Sequence, residues 1–126
     1  MNGSLRGLIV YGTSFGATKS TSEEIAKILR AENFDIKIVN TQEEKIKDLS
    51  EYNLIIVGSS LANCRWSSHA EDFLKRFHEE LEHKKLALFV SSVITIAERE
   101  GNKEEIAKAR KIAIEDKISK YRLKPI

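Results

Sequence analysis

The sequence predicts an α/β protein built on a doubly wound parallel sheet. Three observations lead there. Short, continuous, mostly β-branched or aromatic runs recur at Leu8-Ile9-Val10-Tyr11, Leu54-Ile55-Ile56-Val57 and Leu86-Ala87-Leu88-Phe89-Val90, as expected of strands buried on both faces. Longer stretches with apolar residues at helical spacing lie between and after them. The two types alternate, and alternation implies parallel strands joined by right-handed crossovers, with helices on both faces of the sheet.

Each element follows in order. Residues 1–6 read as a flexible lead, and Leu8 to Tyr11 is the first buried strand. Thr18 to Glu32 is a helix whose apolar stripe is Ile25, Ile28 and Leu29. Phe34, Ile36 and Ile38 alternate with Asp35 and Lys37, which describes a strand with one wetter face at the sheet edge. Thr41 to Leu49 is polar, a short helix or a loop. Leu54 to Val57 is the second buried strand, ended by Gly58. Ser67 to His83 carries Phe73, Leu74, Phe77 and Leu81 at helical spacing. Leu86 to Val90 is the third buried strand. Asn102 to Tyr121 is the last helix, with Asn102 as its N-cap and Ile106, Ala109, Ile112, Ala113 and Ile118 as its inward face. Leu123 to Ile126 reads as a stub.

Composition narrows the function. The chain has 126 residues, enough for the single domain 1–126 expected here. Hydrophobic residues at 41% and charged residues at 32% can build a core, which excludes a disordered chain. A net charge of +2 is too small to argue for nucleic acid. The lone Cys64 excludes an internal disulfide framework, and with three scattered His it offers no zinc spacing, so no metal is expected. No apolar run approaches the ~20 residues of a membrane span. The opening MNGSLRG is too short and polar for a signal peptide. A cytoplasmic location is the expectation.

In open sheets of this type, ligands bind beyond the carboxyl ends of the strands. Three loops therefore matter, following Tyr11, Gly58 and Val90. The first reads Gly12-Thr13-Ser14-Phe15-Gly16-Ala17-Thr18 and leads into a helix. Unpaired backbone N–H groups and the helix dipole favour an anion there. Three hydroxyls add donors without adding charge. The spacing is not that of a P-loop, because Lys19 does not directly follow the second glycine, and no G-x-G-x-x-G is present. A receiver domain would want acids where Gly12 and Gly58 stand. The remaining alternative is a hydroxyl-rich helix cap with no ligand, although three hydroxyls exceed what capping needs.

Leu8 to Thr18 resembles the opening of flavodoxins, whose phosphate loop is written [TS]-x-T-G-x-T. Thr13, Ser14, Gly16 and Thr18 fit that pattern, while Phe15 and Ala17 replace positions often held by Thr and by Asn or Gln. Gly58-Ser59-Ser60-Leu61 and Ser68-His69-Ala70-x-x-Phe73-Leu74 are similar to the branch that contains menaquinone-dependent protoporphyrinogen oxidase. The resemblance implies a flavodoxin-like fold with strands in the order 2-1-3-4-5, FMN as cofactor and electron transfer as function. It implies that Thr13, Ser14, Phe15, Gly16, Ala17 and Thr18 hold the phosphate. It also implies that Ser59, Ser60, Leu61 and Trp66 flank the flavin ring, with Ser91 and Ser92 opposite.

Trp66, the only Trp, would stack on the ring, or else anchor the following helix in the core. Arg65 would raise the flavin's potential if it stood near the ring, or else is a solvated charge. His69 lies near the second loop and within reach of a ligand. No aromatic follows Phe89 until Tyr121, so the second wall of the ring would be aliphatic, from Val93 or Ile94, or open to a partner. No catalytic acid or base is assigned, since flavin electron transfer does not require one.

Four of the five strands that the resemblance implies are found, which would give the order 2-1-3-4. Lys124-Pro125-Ile126 looks like the lead-in to a fifth, which is truncated or supplied by a partner. The strand Leu86 to Val90 would then be an unprotected edge, so self-association through that edge or through an exchanged C-terminus is expected. The electron partner would be a redox protein or a small-molecule acceptor. Two other readings remain open: a degenerate module without flavin that acts through oligomerisation or partner binding, and an FMN-dependent oxidoreductase such as a protoporphyrinogen oxidase or quinone reductase.

Overall fold

The computed structural model describes residues 5–12, 17–62, 65–92, 103–121 and 123. In chain order they form β1 (Leu5–Gly12), α1 (Ala17–Ala31), β2 (Phe34–Asn40), β3 (Leu54–Ala62), β4 (Arg65–Trp66), α2 (Ser68–Leu81), β5 (Lys85–Ser92) and α3 (Lys103–Tyr121). β1 pairs in parallel with β2 and with β3, and β3 in parallel with β5. β4 has two residues and folds back antiparallel on the end of β3, with Leu61 opposite Trp66. The long strands therefore run β2-β1-β3-β5, the expected 2-1-3-4 order of a doubly wound sheet. Among the described residues no helix is long and apolar enough to cross a membrane, and no cluster of His, Cys, Asp or Glu stands ready for a metal ion.

The continuous apolar runs are explained by two cores. Successive strand residues point to opposite faces. Leu8, Val10, Ile55, Val57 and Leu86 meet Ala70, Phe73, Leu74, Phe77 and Leu81 of α2 on one face. Ile9, Ile36 and Ile56 meet Ala26 of α1 on the other. α1 ends where Asn33 takes a φ of 70° and donates its N–H to the Arg30 carbonyl, a left-handed cap that Asn tolerates. Residues 44–49 form no helix, yet Ile46 and Leu49 are buried in the α2-side core.

Several expectations are corrected. Leu5 and Arg6, expected to be flexible, are the first residues of β1, paired with Phe34 and Asp35. The Asn53 side chain accepts the Arg6 N–H at 3.1 Å, and the Asn53 N–H donates to the Arg6 carbonyl at 2.7 Å. Ile28 is 59% exposed and Ile112 54% exposed, so neither belongs to an inward stripe. In α1 the sheet-facing positions are Ile25, Ala26 and Leu29. Among the described side chains of α3 the inward residues are Ile114, Lys117, Ile118 and Tyr121. A lysine occupies a core-side position because Glu71 of α2 receives its ammonium. Leu123 is no stub: it is buried in the main core, and its N–H donates to the Ile118 carbonyl. Asn102 and the side chains of Ile106, Ala109 and Ala113 lie outside the described residues.

Among the described residues β5 and β2 are the two outer long strands of the sheet. Leu86 is buried, Ala87 to Val90 are half-buried, and among the described residues β3 is the only strand that β5 pairs with.

Candidate functional site

The parallel register brings the three expected loops to one end of the sheet. Gly12 of β1 stands opposite Ser59 of β3. Ser60 stands opposite Ser91 of β5, and Leu61 opposite Ser92. α1 begins at Ala17 with no acidic residue in its first turn, so nothing there opposes an anion. The expected phosphate residues Thr13, Ser14, Phe15 and Gly16 lie outside the described residues, as do Cys64, Val93 and Ile94. Ala17 and Thr18 open α1; Thr18 is fully buried, and its carbonyl accepts the Ser22 hydroxyl at 2.8 Å.

The entrance to the first loop is tightly held. A Cβ on Gly12 would stand 2.6 Å from Ser67 Oγ and 2.9 Å from the Ala70 amide nitrogen. Glycine is required because the first turn of α2 packs directly on the strand end. On the β2 side, the Tyr11 carbonyl accepts both the amide and the hydroxyl of Thr41, at 3.0 and 3.1 Å.

Ser59, expected to flank a ring, is fully buried and spends its hydroxyl inside the fold. The hydroxyl donates to the Ser60 carbonyl at 2.9 Å and accepts the Ser67 N–H at 2.7 Å. Ser59 thereby ties the end of β3 to the residue that precedes α2. Trp66 is 6% exposed and belongs to the apolar cluster beneath α2. His69 is exposed in the first turn of α2. Thr41 and Ser67 were not singled out from sequence. Thr41 sits in a polar stretch with no pattern of its own, and Ser67 stands before a helix with nothing in its neighbours to mark its approach to Gly12.

Electrostatics separates this end from its surroundings. A cavity of about 300 Å³ beside it is lined by Lys19 with Glu23, Glu43 and Glu44, too acidic a set to hold a phosphate. A larger cavity of about 570 Å³ lies against α2 and the end of α3, lined in part by His78, His83 and Tyr121, away from the strand ends. Glu71, one turn into α2, accepts hydrogen bonds from Lys120 and Lys117 and from the Tyr121 hydroxyl, each at 2.9 Å. The Lys120 contact first, then Lys117 and Tyr121, outweigh burial and hold its carboxyl down at about 2. The only acid in the first turn of α2 is thus neutralised by α3.

Residues 8–123 match the flavodoxin domain family. The chain belongs to that family. Flavodoxin from Maridesulfovibrio salexigens is 25% identical over 89 residues, covering 67% of this chain and 61% of its own length. The chain thus spans about three fifths of that curated relative. Among solved structures, a flavodoxin from the domain Archaea superposes with a TM-score of 0.64 at 22% identity, covering 94% of this chain and 99% of that one. Fusobacterium nucleatum flavodoxin bound to flavin mononucleotide gives 0.65 at 16% identity, covering 96% and 68%. These likenesses establish the flavodoxin fold, and the strand ends described above are where such a fold places its ligand.

Proposed function

We propose that this flavodoxin-domain chain binds FMN at the carboxyl ends of β1, β3 and β5 and carries electrons between redox partners. The observation that carries the proposal is the register that sets Gly12 beside Ser59 and Ser60 beside Ser91, at the end where α1 begins without acid. Backbone N–H groups of residues 13–17 and the hydroxyls of Thr13, Ser14 and Thr18 hold the phosphate. Ser60 and Leu61 flank the ring on one side, with Ser91 and Ser92 opposite. Trp66 serves from beneath, its buried ring fixing the β3–β4 hairpin that carries the flanking residues. Ser59 holds the hairpin's exit against Ser67. Bound FMN supplies the redox chemistry, and the protein supplies orientation and field. The setting proposed is the cytoplasm, the partner a redox protein or a small-molecule acceptor, and the assembly a homo-oligomer through the open edge of β5.

A second reading, a flavin-free interaction module, is favoured by Phe15 and Ala17, which replace two side-chain donors of the flavodoxin pattern. The oxidase reading ranks below both. Of the residues that resemble that branch, Ala70, Phe73 and Leu74 are core positions of α2, which any helix packed on this sheet would need.

Titration of the purified protein with FMN, followed by flavin absorbance and Trp66 fluorescence, tests the proposal. Saturable binding at or below about 10 μM, equivalent to about 7 kcal/mol, supports it. No binding at that level leaves the module reading. Turnover of protoporphyrinogen with a quinone acceptor would promote the oxidase.

A further inference from the structure

We propose that Thr41, at the exit of β2, is a positioning residue for phosphate recognition: it sets the direction in which the chain leaves β1 for the first loop. The inference rests on the FMN reading above and deepens it.

The argument starts from one carbonyl. The Tyr11 carbonyl is the last acceptor of β1 before Gly12. It takes two donors from the same residue, the Thr41 N–H at 3.0 Å and the Thr41 hydroxyl at 3.1 Å. The first is the bond a parallel ladder would make at this position. The second is an addition that only a side-chain donor supplies, and it occupies the carbonyl's other lone pair. Because the peptide is planar, fixing the Tyr11 oxygen also fixes the N–H of Gly12. The other side of Gly12 is confined too, since a Cβ there would meet Ser67 Oγ and the Ala70 amide nitrogen in the first turn of α2.

Thr41 is itself held. The Asn40 side chain accepts the Gln42 N–H at 2.9 Å, and the Asn40 carbonyl accepts the N–H groups of Glu43 and Glu44, both at 3.0 Å. These bonds close a turn around Thr41 and aim it back at β1. Lys37 closes the bracket from within β2 through its 3.1 Å contact with Glu44. β2 therefore ends in a built bracket beside the loop entrance, with Asn40 opposite Tyr11 in the register and Thr41 bonded to the Tyr11 carbonyl. The ring side of the site, at the ends of β3 and β5, is built by other residues.

That division gives the test. Dissociation constants for FMN and for riboflavin, which lacks the phosphate, are measured by flavin fluorescence for the unmodified protein, Thr41→Val and Thr41→Ser. Thermal unfolding of each is recorded alongside. Thr41→Val keeps the shape and removes the hydroxyl. It is expected to weaken FMN binding about three- to tenfold, the equivalent of one net hydrogen bond, while riboflavin binding changes less than about twofold. Thr41→Ser restores the donor and should stay within about twofold of the unmodified protein for both flavins. An equal loss for both flavins, or a loss that serine does not rescue, overturns the proposal. So does a valine variant that binds FMN unchanged. An unmodified protein that binds neither flavin overturns the FMN reading, and this inference with it.

Discussion

Lys117 of α3 and Glu71 of α2 meet at 2.9 Å, with the lysine side chain only 11% exposed. The same carboxylate receives Lys120 and the Tyr121 hydroxyl. It ties the end of α3 to the first turn of the helix that packs on Gly12. The carboxyl is held at about 2 against an ordinary 4.5, chiefly by Lys120. A depressed carboxyl pKa stabilises the fold above the unfolded value. That contribution is lost as pH falls from about 4.5 toward about 2. At ~1.4 kcal/mol per unit, and allowing for partial exposure, it amounts to about 1–3 kcal/mol. Glu71→Gln should cost about that much at neutral pH, where it leaves Lys117 with Asp116 at 3.6 Å as its carboxylate partner among the described residues. Urea unfolding at pH 7 and near pH 2.5 checks this: the gap between the two proteins should shrink at the lower pH. A gap that does not depend on pH would assign the loss to packing instead.

The inward face of α3 gives a second expectation. Ile112→Lys, at a position 54% exposed, should change unfolding free energy by less than about 0.5 kcal/mol. Leu123→Ala, at a position 4% exposed in the main core, should cost about 2–4 kcal/mol. Denaturant midpoints for the two variants decide it. A large loss from Ile112→Lys would restore the face read from sequence.

Gly12→Ala tests the close approach of α2 to β1. The added methyl meets Ser67 Oγ at 2.6 Å, which a rotation of the serine relieves, and the Ala70 amide nitrogen at 2.9 Å, which no rotamer relieves. A destabilisation of about 1–3 kcal/mol is expected, together with weaker FMN binding. Adding Ser67→Ala should fail to restore either, because the helix backbone remains. Recovery in the double variant would place the constraint in the serine alone.

Much of this was legible in the sequence, for a reason specific to parallel sheets. A strand covered on both faces must be apolar at successive positions, so Leu8 to Tyr11 and Leu54 to Val57 declare themselves without any alternation. The stripe of α2 was equally plain, because five of its buried positions are apolar. In α3 the expected Ile118 packs on the core, while Ile112 points out and the buried Lys117 has no apolar mark. Periodicity cannot see an ion pair whose partner lies on another helix. The candidate site was placed at the strand ends by the general rule for open sheets, but its internal supports were not legible. The tasks of Ser59 and Thr41 depend on the Ser67 amide and the Tyr11 carbonyl, which parallel register and chain reversal bring near. Backbone groups leave no mark in residue type.

The outer strand β5 carries the last expectation. Along β5, Leu86 is fully buried, but Ala87, Leu88, Phe89 and Val90 keep part of their surface in water. The Phe89 ring folds over Gly58 of β3, where a Cβ would overlap it, and so covers a sheet face on which α1 is the packed helix. β5 pairs with β3 alone among the described strands, and a row of N–H and C=O groups on a half-buried apolar strand is a template for pairing with another chain. Light scattering coupled to size exclusion should find an oligomer at micromolar concentration. Ala87→Lys places a charge on that strand and should weaken the association at least about tenfold, or ~1.4 kcal/mol, with a smaller loss of fold stability. If the unmodified protein runs as a monomer throughout that range, the open edge of β5 is not what joins copies of this chain.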